Sequence, residues 1–117
     1  MKKIIFCFVL LVFSPIRALG QDFIPGTEDI PLMEGLSIDE NETVIFDSPD
    51  GQIMTVLAKT SQKSQDVKRF YKASLTALGW KEISPSTYQR GQDALSLTVS
   101  PQQDSTSVKF QITIPNN

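Results

Sequence analysis

The chain has 117 residues, with 11 basic side chains, 13 acidic side chains and no histidine. The lack of histidine removes the commonest general base, the commonest metal ligand and the base of Ser–His and Cys–His pairs. An acidic chain without a basic run is a poor match for nucleic acid or for an anionic membrane surface, so neither is predicted as a partner.

Residues 1–20 have the organisation of a secretory signal peptide. Lys2 and Lys3 precede an unbroken apolar run over residues 4–13, and residues 18–20 form an A-x-G cleavage pattern. The apolar run is shorter than the roughly 20 residues that a membrane-spanning helix needs. We therefore predict a periplasmic or secreted protein, cleaved after Gly20 and with no stable membrane span afterwards. A retained N-terminal anchor is the alternative.

Cleavage would remove three basic residues, no acidic residue and Cys7, the only cysteine. The remaining 97 residues would carry a net charge of −5 and no thiol, so we expect neither a disulfide framework nor cysteine chemistry. This length is enough for one small hydrophobic core. The predicted division is a signal peptide over 1–20, an extended arm or linker over 21–42 and a single domain over 43–117.

Residues 21–42 are interrupted by proline and glycine, yet apolar side chains recur along them. A disordered linker usually carries fewer apolar residues. The pattern therefore favours an extended arm over 30–38 that packs onto the domain.

Residues 43–47 and 52–59 predict two strands of a hairpin. The residues between them, Ser48-Pro49-Asp50-Gly51, suit a tight turn at every position. The second strand is apolar on both faces, and we place Met54 and Val56 on its outer face. That face would need a cover, which could be the arm, a partner chain or a second copy of this chain.

Residues 67–80 predict one amphipathic helix and its end. Apolar side chains recur there at helical spacing: Val67, Phe70, Tyr71, Leu75 and Leu78. Ser64 is the predicted N-cap. Gly79 can take the left-handed conformation that ends a helix, which would let Trp80 pack back on Leu75.

Further strands are predicted over 80–83, 87–90, 94–100 and 107–114, and the last two alternate cleanly between apolar and polar side chains. Together the elements predict an α+β fold: an antiparallel sheet of about five strands in the order ββαβββ, with one helix packed on one face and an extended N-terminal arm.

Motifs for catalysis are missing: there is no G-x-S-x-G, no P-loop, no Rossmann glycine pattern and no C-x-x-C. Asp47 and Asp50 are interpreted as turn residues rather than calcium ligands, since the loop lacks the further oxygen ligands of an EF-hand. A hydrolase that uses Asp47, Glu82 and Asp93 is the weakest hypothesis. We therefore predict no enzymatic activity, no cofactor and no metal.

Three stretches together resemble an uncharacterised family of small exported proteins of Gram-negative bacteria. They are DIPLM-x-GL at residues 29–36, FDSP-x-G-x-I at 46–53 and FY-x₃-L-x₂-LGW at 70–80. The resemblance implies an envelope location and a single α+β domain, and it implies no activity and no functional residues.

The leading hypothesis is a non-enzymatic interaction module that binds a protein or envelope component through the arm and the adjoining sheet edge. The candidate partner-binding residues are Ile30, Leu32, Met33, Leu36, Met54 and Val56. The alternative is a carrier of a small apolar ligand held between helix and sheet. Its candidate pocket residues are Phe70, Tyr71 and Trp80.

Overall fold

The computed structural model describes residues 22–116, which form one helix and six strands. The elements are β1 (Ser37–Ser48), β2 (Gly51–Thr60), α1 (Ser64–Ala77), β3 (Lys81–Ser84), β4 (Thr87–Arg90), β5 (Asp93–Pro101) and β6 (Thr106–Pro115). The predicted signal peptide lies outside the described residues. Within residues 22–116, no helix has the length and apolar character needed to cross a membrane.

The strands form one antiparallel sheet in the order β1-β2-β6-β5-β4-β3, so that β1 and β3 are its edges. The α+β class with one helix is as predicted, but the sheet has six strands rather than about five. The short strands β3 and β4 extend it beyond β5. The first strand also begins earlier than predicted, at Ser37, within the range assigned to the arm.

The register places Met54 and Val56 on the face that the helix covers. Val56 lies opposite Phe110 and Met54 opposite Ile112, and all four side chains are buried in one core. The prediction that Met54 and Val56 occupy the outer face is therefore wrong. Ile53 and the other odd-numbered residues of β2 occupy that face, because side chains alternate along a strand.

The helix α1 buries one stripe of side chains against the sheet, Val67, Tyr71 and Leu75. Its start differs from the prediction, since Lys63 is the N-cap and no side chain caps the helix there. Its end agrees with the prediction. Gly79 has φ +93°, the Trp80 N–H donates to the Leu75 carbonyl at 2.9 Å, and the Gly79 N–H donates to the Thr76 carbonyl at 3.1 Å.

Residues 22–36, here called the N-terminal segment, complete the core. Four of its side chains are buried in the same cluster as the helix and sheet: Ile24, Ile30, Met33 and Leu36. The segment folds back on itself, with a β-bridge between Phe23 and Pro31 and a 2.8 Å hydrogen bond from the Ile24 N–H to the Ile30 carbonyl. The core therefore has three contributors on one side of the sheet: α1, the N-terminal segment and the inner strand faces.

Candidate functional site

The space between α1 and the sheet is filled by the protein itself. The Tyr71 hydroxyl donates a 2.8 Å hydrogen bond to the Pro31 carbonyl and accepts a 3.0 Å bond from the Met33 N–H. The Tyr71 ring meets the Phe110 ring edge-on, with 5.1 Å between centroids. One side chain thus fixes the main chain of the N-terminal segment to the helix and the sheet, and its polar atom is satisfied in the core.

The buried hydroxyl of Tyr71 predicts a loss of stability at alkaline pH. Burial raises the pKa of Tyr71 to about 12, although the hydrogen bond from Met33 lowers it. An unfolded tyrosine ionises near pH 10, so between about pH 10 and 12 the unfolded state releases a proton that the folded state retains. The free energy of unfolding should fall by about 2–3 kcal/mol across this window, as measured by urea unfolding at a series of pH values.

The Tyr71→Phe variant is the control for this alkaline effect. It cannot ionise at this position, so its stability should fall less steeply above pH 10, while at pH 7 it should be less stable because two hydrogen bonds are lost. Burial together with the nearby Glu82 carboxylate also raises the pKa of Tyr88. The Tyr71→Phe variant should therefore still lose some stability at alkaline pH, but less than the wild type. An unchanged alkaline slope in the variant would contradict the assignment to Tyr71.

A second cluster joins the end of the helix to the N-terminal segment. Trp80 is 3% exposed, and the Arg90 guanidinium carbon lies 4.5 Å from the centroid of its ring. Arg90 Nη1 donates to Asp29 Oδ2 at 2.9 Å and to the Leu78 carbonyl at 3.1 Å. The Trp80 Nε1–H is buried and has no hydrogen-bond partner among the described residues.

This cluster borders a cleft of about 380 Å³ between the N-terminal segment and the ends of β2, β4 and β6. Trp80, Met54 and Ile112 give it an apolar floor, and the ion pair of Arg90 with Asp29 lies at its wall. The volume falls within the range of small-molecule sites. Trp80, which lines this cleft, thus carries a buried side-chain N–H that has no partner among the described residues.

Apart from the cleft, the edge strand β1 has an exposed apolar surface. Val44, Ile45 and Phe46 are 56%, 54% and 58% exposed, although they are large apolar side chains. We call these three residues the β1 edge patch. In the described sheet no strand pairs with the outer side of β1, so the N–H and C=O groups along that side are free to bond to another chain.

Acidic side chains surround the β1 edge patch. Glu40 and Glu42 precede it, and Asp47 and Asp50 follow it, and all four are exposed. Residues 37–51 contain no lysine or arginine. The patch is therefore an apolar strip between two regions of negative charge.

A family model described as START domain-like matches residues 40–107, which is more than half of the chain. The chain belongs to the START domain-like family. Comparisons with curated proteins and with solved structures gave no match. The finer resemblance, to exported proteins of Gram-negative bacteria with three characteristic stretches, stays a prediction.

In this START-like domain the predicted partner-binding residues are mostly in the core. Five of the six are buried and the sixth, Leu32, is half-buried: Ile30, Leu32, Met33, Leu36, Met54 and Val56. They therefore offer little free apolar surface, and the core accounts for their apolar character. The sequence could not show this, because an apolar segment that docks on its own chain has the same composition as one that docks on a partner.

The three predicted ligand-pocket residues lie in or against one hydrophobic core of the START-like domain. Tyr71 and Trp80 are buried in that core, and Phe70 is half-buried with its ring centroid 4.8 Å from that of Tyr71. Of the three, Trp80 also lines the cleft. Sequence reasoning missed the β1 edge patch as a surface. The available signal was the run Val44-Ile45-Phe46, which is apolar on both faces of a strand that immediately precedes a turn.

Proposed function

We propose that the protein is a non-enzymatic module of the cell envelope that binds another protein through the edge of β1. The observation that carries the proposal is the β1 edge patch, three adjacent apolar side chains that are each more than half exposed on an unpaired edge strand. Edge strands of natural sheets are usually blunted or covered, and an open apolar edge is a site where a further strand can add. Membership of the START domain-like family is consistent with an interaction module.

The opposite edge of the sheet gives a matched comparison. Strand β3 is also an edge, but it has four residues and one large exposed apolar side chain, Ile83, which is 57% exposed. Ile45 has nearly the same exposure on β1. Replacing either residue with lysine therefore makes the same chemical change at the same degree of burial, at different edges.

The test is capture of proteins from an envelope extract by three baits: the wild type, Ile45→Lys and Ile83→Lys. We expect the wild type and Ile83→Lys to retain the same proteins, and Ile45→Lys to lose them, because a lysine in the β1 edge patch puts a charge where an apolar contact is needed. Circular dichroism of each bait checks that it is folded. Capture of the same proteins by all three folded baits, or of none by the wild type, would reject the proposal.

The alternative function, a carrier of a small apolar ligand, has one specific observation in its favour. The cleft beside Trp80 combines a volume of about 380 Å³ with a buried N–H group that lacks a partner, and a ligand with a hydrogen-bond acceptor could satisfy that group. The proposed place is thus this cleft rather than the filled space between helix and sheet. Native mass spectrometry of protein purified from the cells that produce it should then show a co-purifying small molecule, and the absence of one would argue against this function.

A further inference from the structure

We infer that the partner at β1 presents an extended segment with an apolar centre flanked by lysine or arginine, which adds to the sheet as a seventh strand. This inference rests on the proposed function and names the chemistry of the partner. It follows from three properties of β1: the length of its regular edge, the side chains along that edge and the sign of the charges around it.

The regular part of the edge is short. Residues Val44–Ser48 pair without interruption with residues 51–55 of β2, whereas the register shifts between Asp39 and Val44. Within the irregular part, over residues 39–43, two local hydrogen bonds form. The Asn41 N–H donates to the Asp39 carboxylate at 3.2 Å, and the Thr43 hydroxyl donates to the Asp39 carbonyl at 3.1 Å. A bulge of this kind ends regular pairing. A partner strand can therefore align with about five residues, roughly 17 Å.

The side chains along this run require an apolar centre in the partner. Val44 and Phe46 lie on the outer face of the sheet, opposite Thr55 and Ile53, and Ile45 lies on the other face, opposite Met54. A strand paired with β1 would place its own alternating side chains beside these three, on both faces. Two or three consecutive apolar residues in the partner would cover the β1 edge patch.

The charges favour a basic partner over a second copy of this chain. Every charged residue between Ser37 and Gly51 is acidic, so a second β1 would bring only negative charges to an edge that is already negative. Like charges across a strand pair destabilise it, whereas opposite charges stabilise it. Lysine or arginine on both sides of an apolar centre would lie near Glu42 at one end and Asp47 and Asp50 at the other.

The binding experiment uses the protein as purified from its cells and synthetic seven-residue peptides, with fluorescence anisotropy as the readout. Three peptides share a Val-Ile-Val centre, and they carry two lysines, two serines or two glutamates at each end. A fourth peptide has the lysine ends but a proline at the centre, which removes a main-chain donor. We expect the lysine peptide to bind about tenfold more tightly than the serine peptide, and the glutamate peptide not to bind. Added salt should weaken the binding of the lysine peptide.

Three protein variants test whether the binding is specific to β1. The Glu42→Lys/Asp47→Lys variant leaves three acidic and two basic side chains over residues 37–51, so it should lose most of the preference for the lysine peptide. Ile45→Lys should lose binding, while Ile83→Lys should keep it. Equal binding of the lysine peptide to all these proteins, or equal binding of the three charge types to the wild type, would overturn the inference.

The outcomes separate this inference from the proposed function. If Ile45→Lys loses envelope proteins in the capture experiment but the peptides show no charge preference, the β1 edge binds a protein of other chemistry and the inference alone fails. A dimer in sedimentation that Ile45→Lys dissociates would mean that a second copy occupies the edge, which also overturns the inference. If no envelope protein depends on Ile45, the proposed function fails.

Discussion

The Trp80→Ala variant should lose about 3–5 kcal/mol in its free energy of unfolding, since truncation of a buried aromatic residue leaves a cavity that the surroundings only partly close. Trp80 is 3% exposed and belongs to the core cluster. Its main-chain N–H also closes the end of α1 by bonding to the Leu75 carbonyl. The total stability of small domains is about 5–15 kcal/mol, so the variant should unfold at a much lower urea concentration than the wild type.

The Trp80→Phe variant is the matched control. It keeps an aromatic ring for packing and for the Arg90 guanidinium, and it removes an indole N–H that has no hydrogen-bond partner among the described residues. Its loss of stability should therefore be clearly smaller than that of Trp80→Ala. A loss below about 1 kcal/mol for the alanine variant would mean that the ring is not part of the core, and would favour a direct binding role for Trp80.

The Ile30→Ala variant is expected to lose about 2–5 kcal/mol, because Ile30 is buried where the N-terminal segment meets the sheet. Its side chain is 1% exposed in the core cluster. Such a loss would be large for a residue that lies before the first strand. Urea unfolding followed by circular dichroism measures it.

Leu32→Ala is the control for Ile30→Ala. Leu32 lies two residues further along the same segment and is only half-buried at the margin of the core, so its truncation should cost less. If both variants were as stable as the wild type, the N-terminal segment would not contribute to the core. If Leu32→Ala cost more than Ile30→Ala, the orientation of the segment described above would be wrong.

The helix and the last strands could be predicted from local pattern alone. The spacing of apolar residues in α1, the glycine at its end and the alternation in β5 and β6 each determine one structure without reference to the rest of the chain. The N-cap could not be predicted in this way. Lys63 takes that position in an extended conformation, with φ −70° and ψ 148°, and no side chain there caps the helix by a hydrogen bond.

The features that depend on how the strands pair could not be predicted from local sequence pattern. A strand that is apolar on both faces does not reveal which face meets the helix, and only the register of Val56 with Phe110 decides it. The start of β1 was missed because residues 37–43 are mostly polar and include the irregular region between Asp39 and Val44. The cleft at Trp80 depends on how Arg90 and Asp29 meet across 61 positions of sequence, which no motif records.

The place of β6 in the sheet has a consequence for biogenesis. β6 follows all the other described strands along the chain, yet it lies between β2 and β5 and pairs with both. While a ribosome is still making this strand, the hairpin of β1 and β2 has no neighbour on its inner side and the sheet stays in two pieces. Such non-local closure is slow and comes late. The six-stranded sheet is therefore complete only when β6 has paired with both β2 and β5, so we expect it to fold more slowly than a sheet built only from sequential hairpins.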